Sequence, residues 1–465
     1  MSRALRSPRI HKFGGASLAD APAIAHAVSI VRAQGRVPIV VVVSALAGVT
    51  DALLKMTRRG AANALRRRHA HVARALFAPG ARRTEMLGLI EDSFAELDQL
   101  VRATGILREI TPRTQDYVVA RGERLSAHLF AAALEEAGCR AAYVDARVVV
   151  KTDGTFGGAA PDLARTERAA RKALRPLLAR AIVPVVPGFL GAAPNGAVAT
   201  LGRGGSDLTA TLLARALGSR EVSLWKDVPG VLSADPKVVP DARVVPQLHV
   251  REAAELAYYG AKVLHPRALI PLANRALAVR IRPFASPASP GSEISRRHTL
   301  TDHPVKALSA VPGQALITVT GNGMLGVPGI AARTFAAVQQ EGISVSLISQ
   351  ASSEHSICFS VPDASAQRAR ASLRATFHNE IARREIDGVE MRRGAATLDV
   401  VGLGMAGAAG GSVAARTFSA LSEAGIEVIA IAQGSSELNL SLVVDGRSAA
   451  AAQRAIHAAL RLTST

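Results

Sequence analysis

The first 300 residues predict an α/β protein, a mainly parallel open sheet sandwiched by helices, and the residues beyond them predict a second, duplicated αβ part. Short β-branched runs alternating with longer alanine- and leucine-rich stretches of helical period carry the first expectation. An internal repeat carries the second: GVPGIAARTFAAVQQEGISVSLISQASSEHSICFSV is echoed by GGSVAARTFSALSEAGIEVIAIAQGSSELNLSLVV.

The chain opens on HKFGGASLAD (11 to 20), where an apolar start gives way to a helix-like stretch through a lysine and two adjacent glycines. Glycines let backbone N–H groups approach an anion and the lysine adds a point charge, so the turn is a candidate phosphate site. Alone, it could equally be only a turn. PIVVVVSAL (38 to 46), AAYVDARVVV (141 to 150), AIVPVVPGFLG (181 to 191) and REVSLWKDV (220 to 228) read as strands. Residues 51–78, 84–104, 122–138, 162–180 and 206–218 read as helices. In RPFASPASPGSEIS (282 to 295), prolines and serines break the period as a linker or loop would, which sets a boundary near 300.

Each copy of the repeat reads strand, helix, strand, strand, helix, with the helix entered after a glycine-rich turn. The second copy lacks a clear final strand. VKALSAV (305 to 311), ahead of the first copy, could fill a vacancy in one module's sheet, so that the two modules would share strands. The expected domains are 1–300, 301–390 and 391–465.

The chain has 465 residues, 49% of them apolar, enough to bury two to four domain cores. Its net charge of +19 raises nucleic acid as a partner, but the excess is mostly arginine dispersed among alanines. Only residues 58 to 83 concentrate it, and with aromatics at 3% there are few stacking platforms, so a solvated helical face is the expectation there and no nucleic-acid partner is assigned. Cys139 and Cys358 lie far apart, without metal-ligand spacing, as in a reducing cytosol. MSRALRSPRI has no apolar stretch behind it, and the longest apolar run, VPIVVVVSALAGV, is too short to span a bilayer, so a cytoplasmic protein with no membrane partner is expected.

Four further segments bear chemistry. VVVSALAGVTD (41 to 51) ends a buried strand in a small hydroxyl-bearing loop, placing Ser44 and Thr50 at the sheet edge where open α/β folds bind ligands. ARGERLSAHLF (120 to 130) places Glu123 in the first turn of a helix, where an acid by itself reads as a cap or dipole residue. TLGRGGSDLTATLLARAL (200 to 217) delivers Ser206 and Asp207 to a helix N-terminus; capping explains those two but not Arg203 between glycines. LWKDVPGVLSADPKVVPDARVVPQL (224 to 248) and ELAYYGAKVLHPRAL (255 to 269) pair an Asp- and Pro-rich strand exit with a second lysine, Lys262, and His265 behind it reads as a packing or hydrogen-bonding residue. Two lysines, an arginine, an acid and glycine turns suit phosphoryl transfer, which needs positioning and charge neutralisation above all.

On these ordered motifs and the duplicated module, from Lys12 to the C-terminus, the chain resembles the aspartate kinases of the amino acid kinase family, with their pair of ACT domains. The resemblance implies an amino acid kinase fold followed by two ferredoxin-like βαββαβ modules, and an ATP- and magnesium-dependent phosphorylation of the L-aspartate side-chain carboxylate. That is the first step towards lysine, threonine and methionine. It implies Lys12, Gly14 and Gly15 at the ATP phosphates, and Asp207 and Lys262 as organisers of the phosphates and the transferring group. Ser44, Thr50, Glu123, Phe189, Arg203 and Ser206 would hold the amino acid, Arg203 clamping the α-carboxylate as a fork and Glu123 taking the α-ammonium. Residues 226 to 237 match the nucleotide loop, with Lys226, Asp227, Leu232 and Lys237 as its candidates; no residue is assigned as a metal ligand.

The sequence departs from the family pattern at Ala16 and Lys226, where threonine is common, at Leu232, where an aromatic is common, and at Lys237, where arginine is common. Gln350 and Gln433 occupy equivalent places in the repeat, each before a Ser-Ser-Glu turn, and their surroundings resemble threonine-sensitive members. Threonine is therefore the expected effector, bound between ACT modules, and a homodimer or higher homo-oligomer formed through those modules is the expected assembly. The rivals are another amino acid kinase, acting on glutamate, acetylglutamate, carbamate or UMP, and a kinase-like fold that senses amino acids without turnover.

Overall fold

A computed structural model of the chain describes residues 7–35, 37–55, 62–258, 263–273, 275–297, 304–324, 327–350, 355–405, 408–434 and 438–462. The residues group into two compact units. The first comprises 1–231, 246–250 and 263–298; the second comprises 232–245, 251–262 and 299–465.

Among the described residues the first unit has ten strands: β1 (Arg9–Phe13), β2 (Ile39–Val43), β3 (Ala141–Tyr143), β4 (Val183–Pro187), β5 (Leu190–Ala192), β6 (Val198–Thr200), β7 (Glu221–Lys226), β8 (Gln247–His249), β9 (Ala278–Pro283) and β10 (Ser292–Ser295). Eight of them form one sheet, in the order β3-β4-β2-β1-β7-β9-β10-β8, parallel except where β9 meets β10. Ile39–Val43 is buried along its whole length, as a central strand covered on both faces must be. β5 and β6 form a separate antiparallel hairpin. Phe13 stacks between Phe130 and Trp225 and joins the sheet to a core cluster that also holds Val41, Leu129 and Val185.

Three local expectations need correction. The run 141 to 150 is a strand only to Tyr143. Asp145 then accepts a hydrogen bond from the Arg147 N–H at 2.9 Å and starts the short helix Ala146–Val149. The helix expected from 122 begins ten residues earlier, at Pro112, because the Thr111 hydroxyl caps it by accepting from the Thr114 N–H and proline suits the first helical position. Glu123 is therefore buried in mid-helix and not in a first turn. The proline-rich stretch 282 to 295 is the loop of an antiparallel pair, and its last residues are strand β10.

Arginines in the basic stretch tie this unit together. Arg68 donates to the carbonyls of Ala47 and Ala19, Arg66 pairs with Asp98 and Glu91, and Arg82 pairs with Glu135 and Glu136.

The second unit holds one antiparallel six-stranded sheet: β11 (Ala307–Thr320), β12 (Leu347–Gln350), β13 (Ser356–Pro362), β14 (Gly388–Val401), β15 (Ala430–Gln433) and β16 (Asn439–Asp445), in the order β12-β13-β11-β14-β16-β15. β11 and β14 each run through both repeats. Ala307–Val311 pairs with Thr397–Val401 beside β16, and Gln314–Thr320 pairs with both β13 and Gly388–Ala395, with a register shift between the halves. Each repeat thus borrows half a strand from the other, and the early strand at 305 to 311 completes the second module. Helices Ile330–Gln340 and Ala366–Thr376 cover one half of the sheet; Ala408–Glu423 and Ala449–Ala459 cover the other. The outer strands β12 and β15 come together where the Ser349 hydroxyl donates to the Ile431 carbonyl at 2.9 Å. Among the described residues, no helix is long and apolar enough to cross a membrane.

Candidate active site

A cavity of about 840 Å³ opens in the first unit at the C-terminal ends of β1 and β2. Lys12 enters it from β1. Ser44 and Thr50 enter from the segment after β2, Glu123 and Asp116 from helix Pro112–Glu136, Phe189 from the turn between β4 and β5, and Arg203, Ser206 and Asp207 from the turn that begins helix Gly205–Leu217. Eight of these nine, all but Asp116, are residues picked out by motif for the amino acid and the phosphates, and they line one space.

Lys12 and Asp207 in its lining belong to an ion triad that Lys226 completes. Lys12 Nζ lies 2.7 Å from Asp207 Oδ1, and Lys226 Nζ, at the end of β7, lies 2.8 Å from Asp207 Oδ2. Burial pushes the Asp207 carboxyl up, but the two ammonium groups outweigh it and hold it at about 2, so it is ionised. Burial, reinforced by the Lys226 charge, draws Lys12 below the usual lysine range, with Asp207 opposing. Lys226, a departure from the family pattern at the sequence level, thus has a structural partner. Gly14 leaves bare backbone beside this charge, since a Cβ there would sit 3.4 Å from Lys12 Nζ; Gly15 also lines the cavity.

Glu123 is the second buried acid. Its Oε1 accepts from the Thr50 hydroxyl at 3.3 Å and the Ala45 N–H donates to the carboxylate, while Oε2 is buried with no partner among the described residues. Burial pushes its pKa up to about 7 against these hydrogen bonds and the Lys12 charge. Across the cavity, Arg203 is exposed, and its guanidinium makes none of the hydrogen bonds or ion pairs seen among the described residues. Its turn requires glycine: Gly204 has φ +71°, and a Cβ there would fall 2.3 Å from the Cβ of His265. His265 packs under that turn and accepts from the Arg267 N–H at 3.3 Å.

The remaining expected residues fall elsewhere. Asp227 is exposed just past β7. Leu232 and Lys237 belong to the second unit, where Leu232 bridges to Val244 and the Lys237 N–H donates to Asp235. Lys262 lies outside the described residues, as do both Ser-Ser-Glu turns of the repeat. Gln350 borders a separate cavity of about 260 Å³ in the second unit, and Gln433 ends the neighbouring edge strand β15. Sequence reasoning missed Asp116. It stands seven residues before Glu123, on the same helical face, a spacing that would have exposed it had the helix been started at Pro112.

This fold is that of the amino acid kinase family. The profile of the Amino acid kinase family matches residues 8–283, and that of the ACT domain matches 317–377 and 398–460. Aspartokinase 1, chloroplastic, of Arabidopsis thaliana is 32% identical, over 96% of this chain and 79% of its own. Bifunctional aspartokinase/homoserine dehydrogenase 1, chloroplastic, of the same plant is 34% identical over 98% of this chain, and the chain spans about half the length of such bifunctional relatives, 51% in that case. The crystal structure of E. coli aspartokinase III in complex with aspartate and ADP superposes with a TM-score of 0.81 at 31% identity, covering 97% of this chain and 99% of that one. The chain belongs to the aspartokinase family.

The free oxygen of Glu123 yields a prediction. A carboxyl raised from 4.5 to about 7 by folding adds stability that is present in full below 4.5 and lost as pH climbs through 7. Glu123→Gln should therefore gain thermal stability over the ligand-free parent as pH rises from 5 to 8, by up to about 3 kcal/mol. Melting curves across that range test it, and a constant or shrinking gap contradicts it.

Proposed function

We propose that the chain catalyses phosphorylation of the L-aspartate side-chain carboxylate by ATP, giving 4-phospho-L-aspartate and ADP. The observation that carries this reading is the pairing, in one cavity, of a buried acid and a guanidinium that each keep a group without a partner among the described residues, beside Lys12 of the Lys12–Asp207–Lys226 triad. Glu123 would take the α-ammonium and Arg203 the α-carboxylate, with Ser44, Thr50, Phe189 and Ser206 shaping the space. The side-chain carboxylate is left to face the lysines. It is already ionised near neutrality, since its ordinary pKa is about 3.9, so no general base is needed. Attack forms the O–P bond and breaks the bond to ADP. Lys12, bare backbone at Gly14 and Gly15, and Lys226 offset the charge gathered on the phosphoryl oxygens, and Lys262 is assigned to the same task from its motif.

ATP would enter as its magnesium complex. Both Asp207 oxygens are taken by lysines, and the described residues hold no cluster of three His, Cys, Asp or Glu side chains, so no protein ligand is assigned to the metal and no step is derived through it. The free thiols of Cys139 and Cys358 support a cytoplasmic setting. A coupled ADP-release assay offering aspartate, glutamate, acetylglutamate, carbamate and UMP tests the acceptor. Turnover with aspartate alone supports the reading; turnover with another acceptor, or effector binding without turnover, overturns it. Arg203→Lys keeps the charge but loses the fork, so KM for aspartate should rise about tenfold or more while KM for ATP stays near that of the parent. Equal loss for both substrates would make Arg203 a nucleotide or structural residue.

The second unit is read as the regulatory part, with threonine as inhibitor and the paired modules as the surface through which copies of the chain associate. The 260 Å³ cavity is lined by Gln350, by apolar side chains including Met324 and Ile357, and by the start of helix Ile330–Gln340. The helix N-terminus suits an α-carboxylate and Gln350 an ammonium or hydroxyl. Its described lining holds no acid to meet a second ammonium, which favours threonine. Lysine is the second reading, because another E. coli aspartokinase III structure is a complex with lysine and aspartate. Gln350→Ala or Gln433→Ala should relieve threonine inhibition several-fold while leaving uninhibited turnover unchanged. Inhibition by lysine alone, or none by threonine, defeats the assignment.

A further inference from the structure

We propose that Asp116 is a positioning residue for the amino-acid half of the cavity, locking the Arg203 turn to the helix that carries Glu123. The inference rests on the functional reading above. It begins from where the backbone groups beside Arg203 find their partners, because buried N–H and C=O groups must be paired.

Asp116 is 3% exposed and uses both carboxylate oxygens. Oδ2 accepts the N–H of Thr200 at 2.8 Å and the N–H of Gly157 at 3.0 Å, and Oδ1 accepts the Thr200 hydroxyl at 2.7 Å. The strap 157–160 lies against the end of β6, with the Ala159 N–H donating to the Thr200 carbonyl at 2.8 Å. On the other side Arg267 closes the pair, donating to the carbonyls of Leu201 and Ala159. The Leu201 N–H reaches the Phe189 carbonyl at 2.8 Å. Arg203 is therefore three residues beyond a strand end whose polar groups are held by one acid and one arginine, each from a distant part of the chain.

Asp116 and Glu123 lie seven residues apart on one helix, hence on one face and about 10 Å apart along its axis. One end of this rigid rod offers the free oxygen of Glu123; the other grips the turn from which Arg203 extends. The separation of ammonium and carboxylate receptors is thereby set by a helix rather than by a loop. Asp116 has both oxygens engaged by donors of the protein, Gly157 and Thr200, and neither donor belongs to the Lys12–Asp207–Lys226 triad. Its removal should disturb the amino acid and spare the nucleotide.

Asp116→Asn can keep all three contacts: its oxygen accepts the two N–H groups and its amide donates to the Thr200 hydroxyl, which turns to accept. Asp116→Ala keeps none, and Thr200→Val loses only the hydroxyl contact. The test combines amide exchange at Gly157 and Thr200 in the ligand-free protein with KM values for aspartate and ATP. Asp116→Ala should speed exchange at both amides and raise KM for aspartate roughly tenfold with KM for ATP within twofold; Thr200→Val should show a smaller shift in the same direction, and Asp116→Asn should match the parent. Unchanged exchange, equal rises in both KM values, or failure of the asparagine to rescue overturns the proposal, and Thr200→Val decides it should Asp116→Ala not fold. If the parent turns over another acceptor, the functional reading falls, and KM for that acceptor takes aspartate's place in the same comparison.

Discussion

Asp207 held between Lys12 and Lys226 is the contact on which the site depends. A carboxylate and an ammonium taken out of water each lose several kcal/mol of hydration, and only close pairing returns it. Here the pairing demands that β1, β7 and helix Gly205–Leu217 converge to within 2.8 Å at one point. The adjacency of β1 and β7 in the sheet, the left-handed glycine at 204 and the packing of His265 beneath it all serve that convergence. Two cations against one anion leave an excess positive charge at the mouth of β1, beside backbone that carries no side chain at Gly14.

The same cavity holds a second acid in the opposite condition. Glu123, at about 7, has burial without a cation in contact, whereas Asp207, at about 2, has burial and two. One carboxylate is satisfied by the protein and the other by what binds. In the proposed function that difference gives the space a phosphate end and an amino-acid end, and it follows from the partners each side chain finds.

Much of this was legible in the sequence. KFGGAS, SALAGVT, RGERLS and GRGGSD announced residues that do meet in one cavity, because three of them lie at a strand exit or helix start, where an α/β sheet gathers its loops, and RGERLS sits mid-helix on the face turned to those loops. The half-strand shared between the repeats was legible too, from an unpaired run ahead of the first copy and a missing strand in the second. What escaped was tertiary. Asp145 converts a β-branched run into a helix through one capping bond, which periodicity does not weigh. Thr111 and Pro112 start a helix ahead of its strongest periodic signal, and with that start went Asp116 and the buried, mid-helix setting of Glu123. Lys226 looked like a loss at a nucleotide position, but its partner is 19 residues away in sequence and is visible only once β7 lies beside the Asp207 helix.

The central claim, that an acyl phosphate is made over the Lys12 and Asp207 pair, is tested most directly by trapping that product. Hydroxylamine converts an acyl phosphate to a hydroxamate, which can be followed with ATP and aspartate for the parent and for Lys12→Met, which keeps the length of the side chain and removes its charge. The parent should form hydroxamate, and Lys12→Met should form it about a hundredfold or more slowly while melting as a folded protein. Near-normal hydroxamate formation by Lys12→Met would contradict the claim, as would its absence from the parent.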